Sequence, residues 1–191
     1  RVPANSIKEL IALAKARPGQ LNYGSSGAGT SVHLSGELFS SMAGVKMVHV
    51  PYKGATEALT ALLGGQLDLM FASLSSSIPL IKQGRLKAFA VTGAERSPSI
   101  PELPTMSEAA LPGYAAAAWY GVVGPAGIPR PIVSTLSSAS LAAIATPEVK
   151  DRLFASGVEV RPGNDVEFAK LIASEVQKWA KVVKESGAKV E

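Results

Sequence analysis

The residues with the clearest chemical potential form a run of glycines and hydroxyl side chains from Gly24 to Ser31. The run follows a short apolar segment and precedes a helical pattern, so it should join a strand to the N-terminus of a helix. Such a junction offers unpaired backbone N–H groups and the positive end of the helix dipole to an anion. The run therefore predicts a cradle for a carboxylate or phosphate, although an ordinary glycine-rich turn capped by Thr30 would have the same composition.

Three catalytic motifs nearly match this run, and each lacks a residue that its mechanism requires. A P-loop needs lysine after its second glycine, where this chain has Thr30. A dinucleotide-binding fingerprint would need glycine at Val32, and a nucleophile elbow around Ser26 would need glycine at Ala28. These mismatches weaken the enzymatic interpretations of the run and favour a ligand cradle or an ordinary turn.

The two histidines, His33 and His49, limit the acid–base chemistry that the chain can perform. His33 lies about one turn into the predicted helix, where it could reach back to a ligand, whereas His49 alternates with valines and is interpreted as structural. A serine hydrolase using Ser26 and His33 stays open as an alternative, and it would need a buried acidic residue to orient the histidine. Without cysteine or clustered carboxylates, two histidines predict no metal site.

Two further polar turns follow predicted strands and are candidates for the same site. The first holds Tyr52, Lys53 and Gly54, in which the tyrosine could supply a platform or hydroxyl and the lysine a charge. The alternative is a tyrosine packed at the sheet rim beside a solvated lysine. The other turn begins at Ala72 and Ser73 and continues through a serine-rich stretch to residue 77.

Strand and helix patterns alternate along the first half of the chain. The predicted helices are residues 7–17, a segment ended by Gly44, 56–63 and 79–83. The predicted strands are 21–23, 47–50, 67–71 and 86–91. Such alternation with short glycine-rich connections predicts an α/β fold with a parallel sheet and right-handed crossovers. The three polar turns should then emerge at one carboxyl edge as a single crevice.

The second half of the chain has a different pattern. A proline-rich connector covers residues 96–113, followed by a predicted strand at 117–123. Helices are predicted to open at 129–131 and run to 145, to open at 146–148 and run to 156, and to cover 165–184. We therefore expect two structural regions, 1–116 and 117–191, of which the second has too little sheet to stand alone.

Composition narrows the function classes. The chain has 191 residues, of which 47% are hydrophobic and 18% charged, enough apolar residues for a sizeable core. The net charge of +4 is scattered, which favours a small anionic ligand over nucleic acid. The first residues include neither an initiator methionine nor an apolar signal core, so we expect the chain to begin inside a longer precursor.

A series of short motifs, in order along the chain, resembles the Bug or TctC-like family of extracytoplasmic receptors of tripartite tricarboxylate transporters. They are LNYGSSG (21–27), SVHLSGELF (31–39), VHVPYKG (48–54), LLGGQ (62–66), GRLKA (84–88), AVT (90–92), LPGY (111–114), WYG (119–121), GPAG (124–127) and KWAKVV (178–183). The similarity covers essentially the whole chain.

The resemblance implies a two-domain fold like that of type II periplasmic binding proteins, with helices flanking parallel-rich sheets and a cleft that closes over the ligand. Residues 4–116 would be the inserted second, ligand-binding domain, and 117–191 the C-terminal part of the first domain. The family's N-terminal segment of the first domain has no counterpart in the chain.

The resemblance also implies capture of a small carboxylate without catalysis or a cofactor. The ligand would be a di- or tricarboxylate, an acidic amino acid or an aromatic acid. The residues expected at the ligand are Ser25, Ser26, Gly29, Thr30, Ser31, His33, Tyr52, Lys53, Gly54, Ala72 and Ser73. Many relatives have aspartate where this chain has Ala72, which makes a ligand bearing an ammonium group less expected.

The remaining expectations concern the setting of the receptor. By the same resemblance the protein would be a periplasmic monomer that delivers its ligand to membrane transporter subunits. A sensor that is not coupled to transport stays open as an alternative.

Overall fold

The computed structural model describes residues 2–188 and has an α/β fold. Its strands are β1 (Asn22–Ser25), β2 (Val48–Pro51) and β3 (Leu69–Met70). Its helices are α1 (Ile7–Ala16), α2 (Ser31–Ala43), α3 (Ala55–Gly64), α4 (Leu74–Lys82), α5 (Met106–Ala109), α6 (Arg130–Ala145), α7 (Pro147–Ala155) and α8 (Asp165–Ser186). Strands alternate with helices up to α4, which confirms the predicted fold class.

The described strands form one parallel sheet in the order β2-β1-β3. In the central strand, Gly24 lies opposite Val50 of β2 and Met70 of β3. Since parallel strands end at the same edge, the turns that follow the three strands lie side by side. The sheet thus brings the segments that follow its three strands to one edge, as the sequence predicts.

Side-chain caps determine where the first two helices begin. The Ser6 hydroxyl accepts from the backbone N–H of Glu9 at 3.2 Å, and the Glu9 carboxylate accepts from the backbone N–H of Asn5 at 2.8 Å. The pair resembles a capping box, except that the return bond reaches one residue further back than Ser6. Helix α2 begins after Thr30, which caps it, and ends at Gly44 as predicted.

The core lies among the sheet, α1 and α2. Tyr23 of β1, Phe39 of α2 and Tyr114 are almost completely buried in it. The Tyr114 hydroxyl donates to the backbone carbonyl of Ser35 at 2.9 Å, which ties the segment after the connector to α2. Burial raises the pKa of Tyr114 above its usual range, so the hydroxyl stays a donor.

The serine-rich stretch after β3 is helical, and its prediction as a turn up to residue 77 is wrong. Helix α4 begins at Leu74, five residues before the predicted start at Pro79, which lies inside the helix. The hydroxyls of Ser76 and Ser77 donate to the backbone carbonyl of Ser73, at 3.0 and 2.9 Å. Serines that bond to the preceding turn in this way are compatible with a helix, although their composition favours a turn.

Two predicted strands, 86–91 and 117–123, are also wrong. In the first, Val91 forms a single parallel bridge with Thr105, and the other residues form no ladder within the described chain. The second is irregular throughout. Apolar extended segments favour strands, but a strand also needs a neighbour that exchanges backbone hydrogen bonds with it.

The chain divides into two compact units. Unit 1 comprises the residues up to Ala118 and those from Trp179 onward, and unit 2 comprises Trp119–Lys178. Among the described residues no single helix is long and apolar enough to cross a bilayer, and only the pair α6 and α7, bent by 71°, passes that test jointly.

Candidate functional site

The ligand loop predicted from the sequence, Gly24 to Ser31, comprises the end of β1, the connection 26–30 and the first residue of α2. Its neighbour is the turn after β2, because the Tyr52 backbone N–H donates to the Ser25 carbonyl at 3.1 Å. Gly29 adopts φ +75°, a left-handed conformation that glycine reaches without strain. The glycine at this position is therefore a conformational requirement of the loop.

Thr30 fixes the junction between the loop and α2. Its hydroxyl donates to the Gly27 carbonyl at 2.7 Å and accepts from the His33 backbone N–H at 3.4 Å. Within the described chain, the backbone N–H groups of Ser31 and Val32 have no hydrogen-bond partner. The first turn of α2 therefore keeps two donors at the positive end of its dipole, as an anion site requires.

Ser25 points into the protein and is completely buried. Its hydroxyl lies 2.6 Å from Nε2 of His49, accepts from the Gly27 N–H at 3.1 Å and lies 3.0 Å from the Gly27 carbonyl oxygen. All of these bonds are satisfied together when His49 Nε2 donates to the Ser25 hydroxyl and that hydroxyl donates to the Gly27 carbonyl. Ser25 thus holds the loop from below.

His33 holds the loop at a second point. Its Nδ1 accepts from the Gly29 backbone N–H at 3.0 Å, and its Nε2 lies 3.5 Å from the Glu37 carboxylate, one turn along α2. Its ring stacks on that of His49, with centroids 3.7 Å apart and planes 10° apart. The two histidines form a stacked pair beneath the loop, and each contacts a different part of it.

Tyr23 completes this buried cluster. Its hydroxyl donates to the same Glu37 carboxylate oxygen, and its ring lies directly under Gly36. A Cβ on Gly36 would come within 2.3 Å of the Tyr23 ring, so only glycine allows the close approach. Burial, reinforced by Glu37, raises the pKa of Tyr23 well above its usual range.

Both imidazoles are held in the neutral form. Burial lowers the pKa of His33 below its usual 6.5, and the neighbouring Glu37 carboxylate partly opposes this change. Burial, together with the charge of a protonated His33, lowers the pKa of His49 to about 4. Neutral rings can accept hydrogen bonds, which is what Gly29 requires of His33.

The other predicted residues lie around the same edge. Ser26 is half-buried, Ser31 is exposed, and Tyr52 is half-buried in the neighbouring turn. The Lys53 side chain is exposed, and its backbone N–H donates to the Glu57 carboxylate at 3.2 Å. The remaining positions begin the helices after β2 and β3, and they are Gly54, Ala72 and Ser73.

Sequence reasoning missed the cluster that supports the loop. The i, i+4 spacing of His33 and Glu37 on one helix was the signal that could have revealed their contact. The alternation of His49 with valines indicates a structural role, but the stacking of His49 on His33 and its bond to Ser25 depend on the sheet register. No short-range pattern encodes that register.

A serine hydrolase using Ser26 and His33 would need a contact between His33 and an acidic residue and a hydrogen bond between Ser26 and His33, and the described residues show only the first. His33 does face an acidic residue, Glu37, but no hydrogen bond joins Ser26 to His33 within the described residues. The serine bound to a histidine is Ser25, whose hydroxyl has no exposure to a substrate. Residues 2–188 also contain no group of three side chains that could hold a metal ion.

Residues 1–188 match the family model described as the tripartite tricarboxylate transporter family receptor, which confirms the resemblance seen in the motifs. A protein encoded in the tcbD-tcbE intergenic region of Pseudomonas sp. strain P51 is 39% identical over 189 residues, which are 96% of this chain and 56% of that protein. BugT of Bordetella pertussis is 32% identical over 190 residues, 100% of this chain and 58% of BugT. The chain thus spans little more than half the length of these relatives.

Solved structures give the same result. An R. palustris protein solved with adipate has a TM-score of 0.87 and 36% identity, over 100% of this chain and 64% of that one. MatC of Rhodopseudomonas palustris, solved with bound malate, has a TM-score of 0.79 and 32% identity over 95% and 63% of the two chains. The periplasmic binding protein BugD has a TM-score of 0.80 at 32% identity, over 99% of this chain and 64% of BugD. The fold is therefore that of periplasmic binding proteins, of which this chain covers about two thirds.

Proposed function

The chain belongs to the tripartite tricarboxylate transporter receptor family, and from this premise we propose that it captures a small organic dicarboxylate in the periplasm for delivery to a membrane transporter. The observation that carries the proposal is the start of α2, where the N–H groups of Ser31 and Val32 are left unpaired beside a loop fixed from below. A carboxylate there would accept both donors and lie at the positive end of the helix dipole.

Ligand chemistry supports a dicarboxylate. The similar R. palustris proteins were solved with adipate and with malate, each of which carries two carboxylates. The half-buried hydroxyl-bearing residues Ser26 and Tyr52 stand at the same edge and suit the polar ends of such a ligand. Ala72 offers no carboxylate to an ammonium group, so an acid without an amine is the preferred ligand.

The site is proposed to bind without chemistry. A serine nucleophile needs an adjacent base, yet Ser26 has no bond to His33, and the Ser25 hydroxyl is enclosed by the loop. His33 is also committed, because its Nδ1 already accepts from Gly29. Capture and release therefore account for the arrangement better than acyl transfer does.

The two sequence regions receive different roles in this proposal. Residues 4–116 form the ligand-binding second domain, and 117–191 form the returning part of the first domain. The location of the loop and its supporting cluster supports the assignment of the ligand site to residues 4–116.

Thermal unfolding with a panel of acids tests the proposal. Adipate, malate and citrate are compared with adipamide, which has the length of adipate but no charge. A specific acid at about 100 times its dissociation constant should stabilise the protein by about 2.7 kcal/mol, and adipamide should have no effect. If no acid raises the unfolding temperature, the receptor proposal fails.

A matched pair of variants locates the site. Ser31→Ala at the start of α2 should weaken acid binding by a few-fold, since it removes a hydroxyl beside the carboxylate. Ser138→Ala, at an exposed position of α6, should leave binding unchanged. If the two substitutions change acid affinity equally, the ligand does not bind at the start of α2.

A further inference from the structure

We propose that Glu37 and His33 form a buried positioning pair that fixes Gly29 of the ligand loop and makes carboxylate affinity fall when His33 takes up a proton. The proposal rests on the proposed function, because it concerns the regulation of the same loop. It follows from four contacts: Gly29 to His33, His33 to Glu37, Glu37 to Tyr23, and His33 to His49.

The first contact determines the tautomer of His33. A backbone N–H can only donate, so Nδ1, 3.0 Å from the Gly29 nitrogen, must be the unprotonated nitrogen of the ring. The proton of the neutral ring is then on Nε2, which faces the Glu37 carboxylate at 3.5 Å. Glu37 thus selects the tautomer that Gly29 needs, in the way a carboxylate orients a catalytic or metal-binding histidine.

Glu37 is itself held in place. The Tyr23 hydroxyl donates to the carboxylate oxygen nearest to His33, and the Tyr23 ring is trapped under Gly36 with no exposed surface. The Glu37 side chain is 19% exposed and that of His33 is 6% exposed, so water competes little for their contact. The orientation of the imidazole is therefore set by the core.

The titratable groups that face His33 come from three elements. Glu37 lies on the same helix, Tyr23 on β1 and His49 on β2. Burial disfavours the imidazolium form of His33 and Glu37 favours it, while a protonated His33 disfavours protonation of the His49 ring stacked on it. The stacked arrangement is therefore compatible with two neutral rings and is strained by two charged ones.

Protonation of His33 would break the support at Gly29. The imidazolium carries a proton on both nitrogens, so Nδ1 can no longer accept, and two N–H groups would face each other. The Gly29 peptide must then turn away, and the loop at the start of α2 loses its fixed shape. Charge attraction alone would make an imidazolium bind a carboxylate more tightly, so the direction of the pH effect distinguishes positioning from attraction.

The test measures adipate affinity from pH 8 to pH 5 together with the ¹⁵N spectrum of the imidazoles and of the Gly29 amide. In the unmodified protein we expect neutral His33 with its proton on Nε2, and a Gly29 amide signal that changes with the His33 titration. Adipate affinity should fall in the same pH range, by up to about tenfold per pH unit below the midpoint.

Three variants test whether Glu37 and His33 position Gly29 or only stabilise the fold. In Glu37→Gln the amide oxygen can still accept from the Tyr23 hydroxyl and from His33, but the negative charge is removed. The pH midpoint of the change in adipate affinity should therefore shift to lower pH. In His33→Phe an aromatic ring stays but the hydrogen-bond acceptor for Gly29 is lost. Adipate affinity should therefore be weak at every pH, and its remaining pH dependence should come only from protonation of adipate itself. The control Glu102→Gln, at an exposed position of the connector, should match the unmodified protein.

Three results would overturn the proposal, and the first two are His33 carrying its proton on Nδ1 and a pH midpoint of adipate affinity that is the same in Glu37→Gln and the unmodified protein. Affinity that rises in acid would also overturn it. If adipate does not bind at all but Gly29 and His33 titrate together, the proposed function fails while the positioning pair stands.

Discussion

The two units differ in how they bury their apolar side chains. Every buried residue of the described chain lies in unit 1, and none lies in Trp119–Lys178. In unit 2, Tyr120 and Val122 are each 83% exposed, and Phe154 is 50% exposed. Unit 1 has a core of its own, whereas the described chain leaves these apolar side chains of unit 2 uncovered.

This difference explains where a precise site can form. A loop keeps one conformation only if the residues under it cannot move, and the ligand loop rests on Tyr23, His33 and Ser25, all buried. Unit 2 needs apolar burial that it does not itself supply. We therefore expect local stability to differ strongly between the units, and matched substitutions can measure the difference.

The largest expected contrast comes from removing an aromatic ring. Phe39→Ala empties a completely buried position in unit 1 and should cost about 4 kcal/mol in free energy of unfolding. Phe154→Ala removes a half-exposed ring in unit 2 and should cost about 1 kcal/mol or less. Urea denaturation followed by circular dichroism gives both values, and equal costs would show that unit 2 has a core of comparable quality.

The next contrast uses two glycines that each lie against a ring. A Cβ at Gly36 would come within 2.3 Å of the Tyr23 ring, and one at Gly121 within 2.1 Å of the Phe168 ring. Tyr23 is trapped in the core, so Gly36→Ala should destabilise the protein by about 3 kcal/mol.

Phe168 is only half-buried and can move aside, so Gly121→Ala should cost about 1 kcal/mol. Hydrogen exchange of β1 and α8 would report the local effects. A mild effect at Gly36 would mean that β1 and α2 are more loosely packed than their geometry indicates.

The third contrast between the units is the dependence of their stability on pH. Both histidines lie in unit 1. His49 has an ordinary pKa of 6.5 when unfolded and about 4 when folded, so the unfolded state binds the proton first as the pH falls. Stability should therefore be complete above about pH 6.5 and decline towards pH 4, by about 1–2 kcal/mol at pH 5 after allowance for partial exposure.

Urea denaturation at pH 7.5 and pH 5.0 measures this decline. The variant His49→Phe keeps a ring beside His33 and removes the titrating group, so its loss of stability over this range should be smaller. If the variant and the unmodified protein lose the same stability, His49 does not cause the effect.

The smallest contrast compares two threonines at helix starts. Thr30 caps α2 through its hydroxyl, so Thr30→Ala should cost about 1 kcal/mol and weaken the ligand loop. Thr146 precedes α7 without a capping bond, and its hydroxyl donates instead to the Ala143 carbonyl at 2.8 Å. Thr146→Ala should cost only a few tenths of a kcal/mol, and a larger cost would reveal a structural role for that bond.

The sequence predicted most of unit 1 because its signals are local. Ser6, Thr30 and Gly44 mark helix ends, and each strand that forms the sheet is followed by a polar turn. The stacking of His33 on His49 was missed because it depends on the register of β1 with β2. The predicted strands at 86–91 and 117–123 were wrong because apolar content reports a tendency to be buried and cannot supply a partner strand.

The central claim is that unit 1 holds a preformed carboxylate site at the start of α2. Its most direct test is a titration of the ¹⁵N-labelled protein with adipate, observed through the backbone amide signals. Saturable changes should concentrate at Ser26, Ser31 and Val32, and the signals of α6 and α7 should stay constant. Changes confined to α6 and α7, or no change up to saturating adipate, would contradict the claim.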